Sequence, residues 1–323
     1  MSAVATDLLE RAHQHRGELL GYCYRFLGSP SEAEDAVQET LARAWQKADQ
    51  FRGDAALRTW LYTVAVRVCA DMSRAPQRRA LPMDLADAGT VGDGRPDLGT
   101  PLPAEAWVWP LPDDRLLAAD ADPAAVVAHR DTVRLAFLAA LQHLPARQRA
   151  VLILRDVLAF SAAETAAVLT ISVDAVTSAL ARARATMRTK AGEPSTRPTD
   201  AVERETLERY VEAFEAYDVD RLVGLLAAEA SFSMPPLTFW LQGAEEIERW
   251  WRGPGDVCRD SRILTGRLNG RPAVGCYHAN GEVWEPFAVH LLEVDADGAI
   301  TDLTHFLDAE VFESLGMPAQ ILA

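Results

Sequence analysis

The chain has 323 residues, more than one domain of ~100–200 residues needs, so its length predicts two or three domains. Its 47 acidic and 32 basic residues give a net charge of −15, which excludes a chain that attracts nucleic acid over its whole surface. It has no run of ~18 apolar residues, no signal-peptide pattern and four widely spaced cysteines. We therefore expect a cytoplasmic protein with no membrane contact, no bound metal and no cofactor.

Acidic and basic residues are segregated along the chain. Residues 132–198 contain nine basic and four acidic residues, and residues 1–80 are nearly balanced, with 11 basic and ten acidic. The acidic excess lies in residues 81–131 and 199–323. Residues 1–80 and 132–198 are therefore the candidates for contact with DNA.

Stretches rich in Pro, Gly and Asp divide the chain. One begins after residue 80 and the other is GEPSTRPT at residues 192–199. We predict a first domain at residues 1–80, a linker at 81–131, a second domain at 132–191, a short linker at 192–199 and a third domain at 200–323. The first two domains read as all-α and the third as α+β.

The first strong helix start is Ser29-Pro30, a capping serine before a proline, with Glu32 three residues after the cap. The helix that follows is predicted to bury one stripe, formed by Ala33, Val37, Leu41, Ala44 and Trp45. A charged face remains on the other side, formed by Asp35, Gln38, Glu39 and Arg43 together with Glu34. Such a face is either solvated or offered to a partner.

Residues 51–74 combine a Gly-Asp loop with a helix rich in aromatic residues and arginines. The loop contains Arg52, Gly53 and Asp54, and the helix carries Arg58, Trp60 and Arg67. Aromatic side chains interleaved with arginines suit unstacked bases and a single-strand backbone. Trp60 is equally compatible with a hydrophobic core.

The acidic linker contains a short apolar segment, WVWPLP, at residues 107–112. Its tryptophans either pack on one another or anchor the linker to a neighbouring domain. We favour an interdomain anchor formed by Trp107, Trp109 and Pro110.

Residues 145–188, PARQRAVLILRDVLAFSAAETAAVLTISVDAVTSALARARATMR, are typical of a helix–turn–helix. Ser161 and Glu164 form a capping box for the first helix, and Ser172 caps the second helix after a turn at residues 170–172. The inward stripe of the second helix is predicted to be Val173, Val176, Leu180, Ala183 and Met187. The opposite face carries short polar residues and arginines that suit a major groove: Ser172, Asp174, Thr177, Ser178, Arg182, Arg184 and Arg188. An amphipathic helix pair in a bundle is the alternative.

The third domain starts with a helical stripe that includes Tyr210 and Phe214, followed by a short helix at 218–227 and a strand at 231–234. A helix at 244–251 and apolar segments at 273–277, 287–294 and 300–307 follow, with a turn at 295–298. His278, His290, Asp302 and His305 are the candidates for acid–base chemistry, although Asp302 and His305 should point to opposite faces of a strand. We expect no catalytic site, and expect the tryptophans to form a core or a cavity: Trp240, Trp250, Trp251 and Trp284.

Together, the first two domains resemble the bacterial extracytoplasmic-function sigma factors. Residues 32–45, EAEDAVQETLARAW, are similar to the polymerase-clamp-binding helix of that family, and residues 58–71, RTWLYTVAVRVCAD, to the helix that follows its −10 reading loop. The helix–turn–helix is similar to its −35 reader. Arg67 departs from the asparagine that is common in the family, which bears on the −10 preference. The third domain resembles the SnoaL-like, cone-shaped α+β domains that close around an apolar pocket.

The resemblance implies a promoter-specificity subunit of RNA polymerase that is not an enzyme. Core polymerase would bind Asp35, Gln38, Glu39 and Arg43. The −10 DNA would bind Arg52, Gly53, Asp54, Arg58, Trp60 and Arg67. The −35 DNA would bind Ser172, Asp174, Thr177, Ser178, Arg182 and Arg184.

The partners implied are core RNA polymerase and promoter DNA, with room for a small-molecule ligand in the third domain. We expect a monomer, whose activity the SnoaL-like domain adjusts in cis in place of a separate anti-sigma partner. Two alternatives remain at this point. One is a SnoaL-like isomerase or cyclase, or a ligand sensor, fused to a DNA-binding regulator, and the other is a repressor or activator that acts without polymerase.

Overall fold

The computed structural model describes residues 10–48, 51, 57–73, 79–92, 96–116, 130–190, 198–307, 311–312 and 316–322. The chain forms two compact units. The first comprises Met1–Arg79 and Val108–Glu193, and the second comprises Ala80–Trp107 and Pro194–Ala323. The first unit is helical and the second combines helices with a mixed sheet, which confirms the predicted fold class.

The helices of the first unit, within the described residues, range from one turn to 18 residues. They are α1 (Arg16–Leu27), α2 (Pro30–Gln46), α3 (Leu57–Met72), α4 (Asp113–Leu116), α5 (Leu135–Gln142), α6 (Ala146–Leu152), α7 (Ala162–Leu169) and α8 (Val173–Lys190). A single π-helical turn, Ile153–Val157, continues α6. The Ser29 hydroxyl accepts a hydrogen bond from the Glu32 N–H at 3.4 Å, with Pro30 at the first helical position, so the predicted start of α2 is confirmed.

The buried face of α2 is the predicted one except at its end. Ala33, Val37, Leu41 and Ala44 are buried, whereas Trp45 is 46% exposed, so the prediction that Trp45 is buried was wrong. Residue 45 is rotated by ~100° from residue 44 on a helix of 3.6 residues per turn. It follows Gln38 at a spacing of seven and therefore lies on the exposed face.

In its described residues, the second unit contains α9 (Asp200–Glu215), α10 (Val219–Val223), α11 (Ala244–Arg252) and seven strands. The strands are β1 (Leu226–Ser233), β2 (Trp240–Gln242), β3 (Arg262–Leu268), β4 (Arg271–Asn280), β5 (Val283–Val294), β6 (Ile300–Phe306) and β7 (Ile321–Leu322). Their order is β2-β1-β6-β5-β4-β3, with β7 beside β5. The β1–β6 pair is parallel and the other pairs are antiparallel.

The core of the second unit lies between the sheet and its helices. Tyr210 and Phe214 on α9 are buried against it, as are Trp250 and Trp251 on α11. A buried ion pair reinforces this packing, because Arg271 on β4 lies 3.3 Å from a carboxylate oxygen of Glu203 on α9. Arg271 also lies 2.8 Å from Glu293 on β5.

Some predicted elements of the third domain differ from those in the structure. The helix predicted at 218–227 is only Val219–Val223, and β1 starts at Leu226, earlier than residue 231. The sequence analysis missed β2, which has three residues, and β3, which has charged residues and a glycine among its apolar ones. The turn at 295–298 is confirmed, since the Asp295 carboxylate accepts backbone hydrogen bonds from Asp297 and Ala299 at 3.0 and 2.9 Å.

The segment predicted as a long linker is divided between the two units. Residues 80–107 belong to the second unit and residues 108–116 to the first. In the second unit, Gly89 lies so close to β2 that an added Cβ would stand 2.8 Å from the Phe239 ring. In the first unit, the Trp109 N–H donates to the Gly28 carbonyl at 3.0 Å. Parts of this segment are therefore held by backbone contacts, although many of its described residues are exposed.

Candidate nucleic-acid interface and ligand cavity

The helix–turn–helix is formed by α7 and α8, which meet at 99°. The Ser161 hydroxyl accepts from the Glu164 N–H at 3.1 Å, and the Glu164 carboxylate accepts from the Ser161 N–H at 2.7 Å, so the capping box is confirmed. Thr170 adopts a left-handed conformation at φ 54°, which turns the chain sharply. Ser172 caps α8 by accepting from the Ala175 N–H at 3.1 Å. An angle near 90–120° is typical of this motif.

Helix α8 buries the stripe that its periodicity predicts, with one exception. Val176, Leu180, Ala183 and Met187 are buried, but Val173 is 45% exposed, so its predicted burial was wrong. Val173 is the first residue of α8, and at this end the turn leaves its side chain uncovered. The predicted −35 residues are all exposed: Ser172, Asp174, Thr177, Ser178, Arg182 and Arg184.

The two arginines predicted to contact −35 DNA differ in their environment. The Arg184 guanidinium makes two hydrogen bonds to the Asp156 carboxylate, at 2.7 and 2.8 Å, and this ion pair raises its pKa. Arg182 is exposed and forms no ion pair within the described residues. Of these two arginines, only Arg184 is engaged in an ion pair among the described residues.

The predicted polymerase-binding residues share the outer surface of α2. Asp35, Gln38 and Glu39 are exposed. Arg43 is half-buried, pairs with Glu39 at 2.6 Å and lies 3.6 Å from Asp71. The exposed Trp45 continues this face toward the end of α2, and it adds an apolar side chain that the sequence analysis assigned to the core.

The predicted −10 residues on helix α3 differ in their exposure to solvent. Arg67 is exposed, whereas Trp60 is half-buried with its ring centroid 5.3 Å from that of Phe51. Arg58 pairs with Glu18 at 2.7 Å. The remaining predicted residues, Arg52, Gly53 and Asp54, lie outside the described residues.

Within the first unit, α3 packs directly against the helix–turn–helix. The Arg58 guanidinium lies 4.4 Å from the centroid of the Phe160 ring, and the Tyr62 ring meets the same ring edge-on at 5.0 Å. Phe160 is 2% exposed. The sequence analysis missed this contact, because periodicity identifies a buried face but not the residue that covers it.

A buried arginine ties α6 to the end of α1. Arg149 on α6 donates to the Phe26 carbonyl at 2.6 Å and to the Gln142 side chain at 2.8 Å. Burial of a guanidinium requires such partners, since an unsatisfied charge costs several kcal/mol. The sequence analysis did not single out Arg149, although an arginine directly before the apolar run AVLIL is a signal for it.

The predicted interdomain anchor residues are mostly buried. Trp107 is fully buried, and its indole N–H donates to the Leu102 carbonyl at 3.4 Å. Pro110 is buried, and Trp109 is half-buried, with its carbonyl accepting from the Tyr24 hydroxyl at 2.7 Å. These contacts give the tryptophans a packing role, and their role as an anchor between domains stays a prediction.

The second unit encloses an apolar cavity of about 250 Å³. Its wall is largely aromatic and aliphatic, and includes Phe214, Met234, Leu237, Trp250, Trp251 and Phe287. Two of the four tryptophans predicted for a core or a cavity therefore line it. Trp240 and Trp284 are half-buried elsewhere in the unit.

Three histidines and Cys276 lie on the sheet near this cavity, and Cys258 lies next to Cys276 from the turn that follows α11. The rings of His290 and His305 stack at 3.6 Å, and His290 Nδ1 lies 3.0 Å from the Tyr210 hydroxyl. His278 stacks on Phe287 at 3.7 Å. Asp302 does not join them, because it lies on the opposite face of β6 from His305 and accepts from the Thr304 hydroxyl at 2.9 Å.

Burial and hydrogen bonding shift the pKa values of His305, Cys258 and Cys276. Burial and the neighbouring His290 hold the pKa of His305 well below its ordinary value, so His305 is neutral at pH 7. A hydrogen bond from Cys258 lowers the pKa of the Cys276 thiol, while the same bond and burial raise that of Cys258. Across the described part of the chain, no three His, Cys, Asp or Glu side chains are arranged to hold a metal ion.

No single helix among the described residues is long and apolar enough to span a membrane. Within the described residues, α7 and α8 taken as a pair are long and apolar enough, but the chain bends by 99° between them. The bend is that of the helix–turn–helix.

A helix–turn–helix with an exposed polar face, packed on a second helical region and joined to a mixed α+β domain, defines a DNA-binding transcription factor with a fused accessory domain. The family models match in the same order: "Sigma-70 region 2" at residues 12–79, "Sigma-70, region 4" at 134–187 and "SnoaL-like domain" at 207–303. The chain is 42% identical over 321 residues to the ECF RNA polymerase sigma factor SigG of Mycobacterium tuberculosis, covering 97% of this chain and 84% of the relative. The chain belongs to the extracytoplasmic-function (ECF) RNA polymerase sigma factors, which are not enzymes.

Two further matches concern another sigma factor of Mycobacterium tuberculosis, SigJ. Its sequence is 29% identical over 245 residues, covering 74% of this chain and 70% of the relative. Its crystal structure superposes with a TM-score of 0.60 at 22% identity, covering 94% of this chain and 97% of that chain. At this identity the superposition shows a shared fold, which includes the SnoaL-like domain.

Proposed function

We propose that the chain directs core RNA polymerase to its promoters in the cytoplasm as a monomer. The observation that carries this proposal is the exposed acidic and apolar face of α2 in the same compact unit as the exposed face of α8. Asp35, Gln38, Glu39 and Arg43 bind the polymerase core, with Trp45 as an added apolar contact. Binding of purified core polymerase by the purified chain tests the proposal.

Promoter DNA is read in two places. Ser172, Asp174, Thr177, Ser178, Arg182 and Arg184 face the −35 duplex, where short side chains approach base edges and the arginines also reach phosphates. Arg67 and Trp60, with Arg58 and the loop residues Arg52, Gly53 and Asp54, contact the melted −10 strand by stacking and by charge. Loss of open-complex formation with intact −35 binding is the expected result of an Arg67→Glu substitution.

Reading both elements requires the first unit to open. Elements ~25 base pairs apart are separated by roughly 85 Å of duplex, at a rise of ~3.4 Å per base pair. A compact unit of about 165 residues has a radius of gyration of only ~15 Å. We infer that α3 and the helix–turn–helix separate on the promoter, which exposes Arg58 and Phe160.

The SnoaL-like domain adjusts this activity in cis. The SnoaL-like domain carries most of the net negative charge of the chain, whereas residues 132–198 are basic. Its negative electrostatic field therefore weakens the attraction of the helix–turn–helix for DNA phosphates. The domain is also the place for a small-molecule ligand that shifts the balance. Runoff transcription with the full chain and with a chain lacking residues 200–323 tests this regulation. Unchanged promoter activity in the shortened chain, with its helical unit shown to be folded by circular dichroism, contradicts it.

A further inference from the structure

The second unit brings two cysteines together from different elements. Cys276 lies on β4, and Cys258 is the last residue of the 3₁₀ turn Pro254–Cys258, which follows α11. A hydrogen bond joins their side chains, and both cysteines are free thiols. Two sulfur atoms in such contact need only a small approach to reach the ~2.05 Å of an S–S bond. The pair is therefore placed to form a disulfide.

Contacts on both sides of Cys258 fix its backbone. The Ser261 hydroxyl donates to the Cys258 carbonyl at 2.6 Å. The Arg259 N–H donates to the Asp256 carbonyl at 2.9 Å, and the Arg259 guanidinium lies 4.5 Å from the centroid of the Tyr217 ring. Because the backbone is already anchored beside Cys276, bonding between the two sulfurs requires little rearrangement.

The two sulfurs differ in their access to solvent. Cys276 is completely buried, whereas Cys258 is half-buried and lines the cavity of the second unit. Val257, the neighbour of Cys258, lines the same cavity and is 55% exposed. A molecule as small as a peroxide therefore meets Cys258 before it meets Cys276.

The surroundings of the pair favour one thiolate. A hydrogen bond from Cys258 lowers the pKa of Cys276, and the imidazoles of His278 and His290 lower it further. His290 is paired with Val274 across β4 and β5, so it lies diagonal to Cys276 on the same face of the sheet. The hydrogen bond to Cys276 and burial raise the pKa of Cys258. The two sulfurs thus share one proton at pH 7, and the thiolate is the form of cysteine that reacts with peroxides.

We propose that Cys258 and Cys276 are an oxidisable pair that a small peroxide converts into a disulfide. The disulfide links the turn after α11 to β4, and thiols reverse it. It forms whether or not the SnoaL-like domain regulates transcription. Its effect on promoter activity rests on the proposed regulation in cis.

The reaction balances with peroxide as the oxidant. Cys258 passes its proton to Cys276, and the Cys258 sulfur attacks one peroxide oxygen, which breaks the O–O bond and releases hydroxide. Cys258 is then a sulfenic acid. The hydroxide takes the proton of Cys276 and becomes water, after which the Cys276 thiolate attacks the Cys258 sulfur and displaces a second hydroxide. Two electrons pass from the two sulfurs to the peroxide, and the products are the disulfide, one water and one hydroxide.

Peroxide treatment of the full chain tests the pair directly. The reduced chain is exposed to hydrogen peroxide at pH 7 and then unfolded in N-ethylmaleimide, which blocks every remaining thiol. Trypsin cuts between the two cysteines at Arg259, Arg262 and Arg267, so the cysteines fall on different peptides. We expect mass spectrometry to show a disulfide-linked Cys258–Cys276 peptide that dithiothreitol removes.

Cys23 and Cys69 provide a matched control within the same chain. They are also joined by a hydrogen bond, on α1 and α3, but both are completely buried. We expect them to remain blocked by N-ethylmaleimide while Cys258 and Cys276 oxidise at least about tenfold faster. Absence of the linked peptide, or equal oxidation of the two pairs, overturns the proposal.

Single substitutions separate the roles of the two sulfurs, with circular dichroism to show that each variant is folded. In Cys276→Ala the Cys258 sulfenic acid has no thiol to condense with, so dimedone should trap at least about fivefold more of the oxidised Cys258 than in the wild type. In Cys258→Ala the buried Cys276 should oxidise as slowly as Cys23. An equal trapped fraction in Cys276→Ala and the wild type, or fast oxidation of Cys276 in Cys258→Ala, contradicts the proposed pair.

Discussion

The guanidinium of Arg58 lies 4.4 Å from the centroid of the Phe160 ring, and this contact joins α3 to the chain segment just before the helix–turn–helix. Arg58 belongs to the predicted −10 contacts, and Phe160 precedes Ser161, the cap of α7. The two DNA-reading regions are thus packed against each other in the first unit. An arginine engaged with an aromatic ring and with Glu18 must leave both before it contacts a DNA strand.

Replacing Phe160 with alanine is expected to weaken this packing. Phe160 is 2% exposed and meets the Tyr62 ring as well as Arg58, so truncation leaves a cavity and removes both ring contacts. We expect the free energy of unfolding to fall by about 3–5 kcal/mol, measured by urea denaturation of the full chain. Val157→Ala, at a half-buried position nearby, should cost less than half as much. Equal costs would show that the Phe160 contact contributes little.

The buried ion pair of the second unit offers a second stability test. Arg271 and Glu203 are both 2% exposed, so Arg271→Met leaves a buried carboxylate beside one fewer cation and should cost about 3–5 kcal/mol. Arg221→Met breaks the exposed pair with Glu212 and should cost less than ~1 kcal/mol. Thermal denaturation of both variants checks the difference. Similar melting temperatures would contradict the structural role of Arg271.

The capping box predicts a pH dependence. Hydrogen bonds from the side chain and the backbone N–H of Ser161 lower the pKa of Glu164. A lowered pKa in the folded state means that the cap contributes fully above the ordinary pKa of ~4.3 and is lost as the pH falls through the lowered value. An NMR titration of the Glu164 carboxyl in the full chain should give a midpoint below the ordinary value in the wild type. In Ser161→Ala, which loses the side-chain hydrogen bond and keeps the backbone one, the midpoint should rise part of the way toward the ordinary value. Identical Glu164 midpoints in the wild type and in Ser161→Ala would contradict the effect of the Ser161 side chain on the pKa of Glu164.

The two arginines of α8 should differ in their effect on DNA affinity. Arg182→Ala removes an exposed guanidinium without an ion pair among the described residues, and we expect about a tenfold loss of affinity for duplex DNA selected with the wild-type chain. Arg184 is engaged with Asp156, so Arg184→Ala should cost only about two- to threefold. Fluorescence anisotropy at fixed salt measures both. A larger loss for Arg184→Ala reverses the assignment.

Local signals in the sequence predicted the helix starts and the faces of the DNA-reading helices. The caps at Ser29, Ser161 and Ser172 depend on side chains three residues or fewer from the groups they satisfy, so sequence alone identifies them. The exposed face of α8 follows from its periodicity in the same way. Errors occurred at Trp45 and Val173, which lie at helix ends where the periodic stripe leaves the core.

Contacts between distant segments were beyond the reach of the sequence. The Arg58–Phe160 contact joins residues about one hundred positions apart, and the hydrogen bond from Trp240 on β2 to the Ala86 carbonyl spans an even longer separation. Composition marked residues 81–131 as a linker because they are acidic and rich in proline and glycine. Backbone hydrogen bonds of Gly89 and Leu102 hold part of that segment in the second unit, and such bonds leave no side-chain pattern.

Binding of core RNA polymerase tests the central claim most directly. We expect the purified full chain to bind core polymerase and to start transcripts from its promoter, and we expect Asp35→Ala with Glu39→Ala to weaken core binding at least tenfold while duplex binding stays unchanged. Glu205→Ala with Glu208→Ala, an exposed acidic pair on α9, is the matched control and should bind core like the wild type. Failure of the wild-type chain to bind core polymerase, or wild-type binding by the Asp35→Ala and Glu39→Ala variant, would contradict the account.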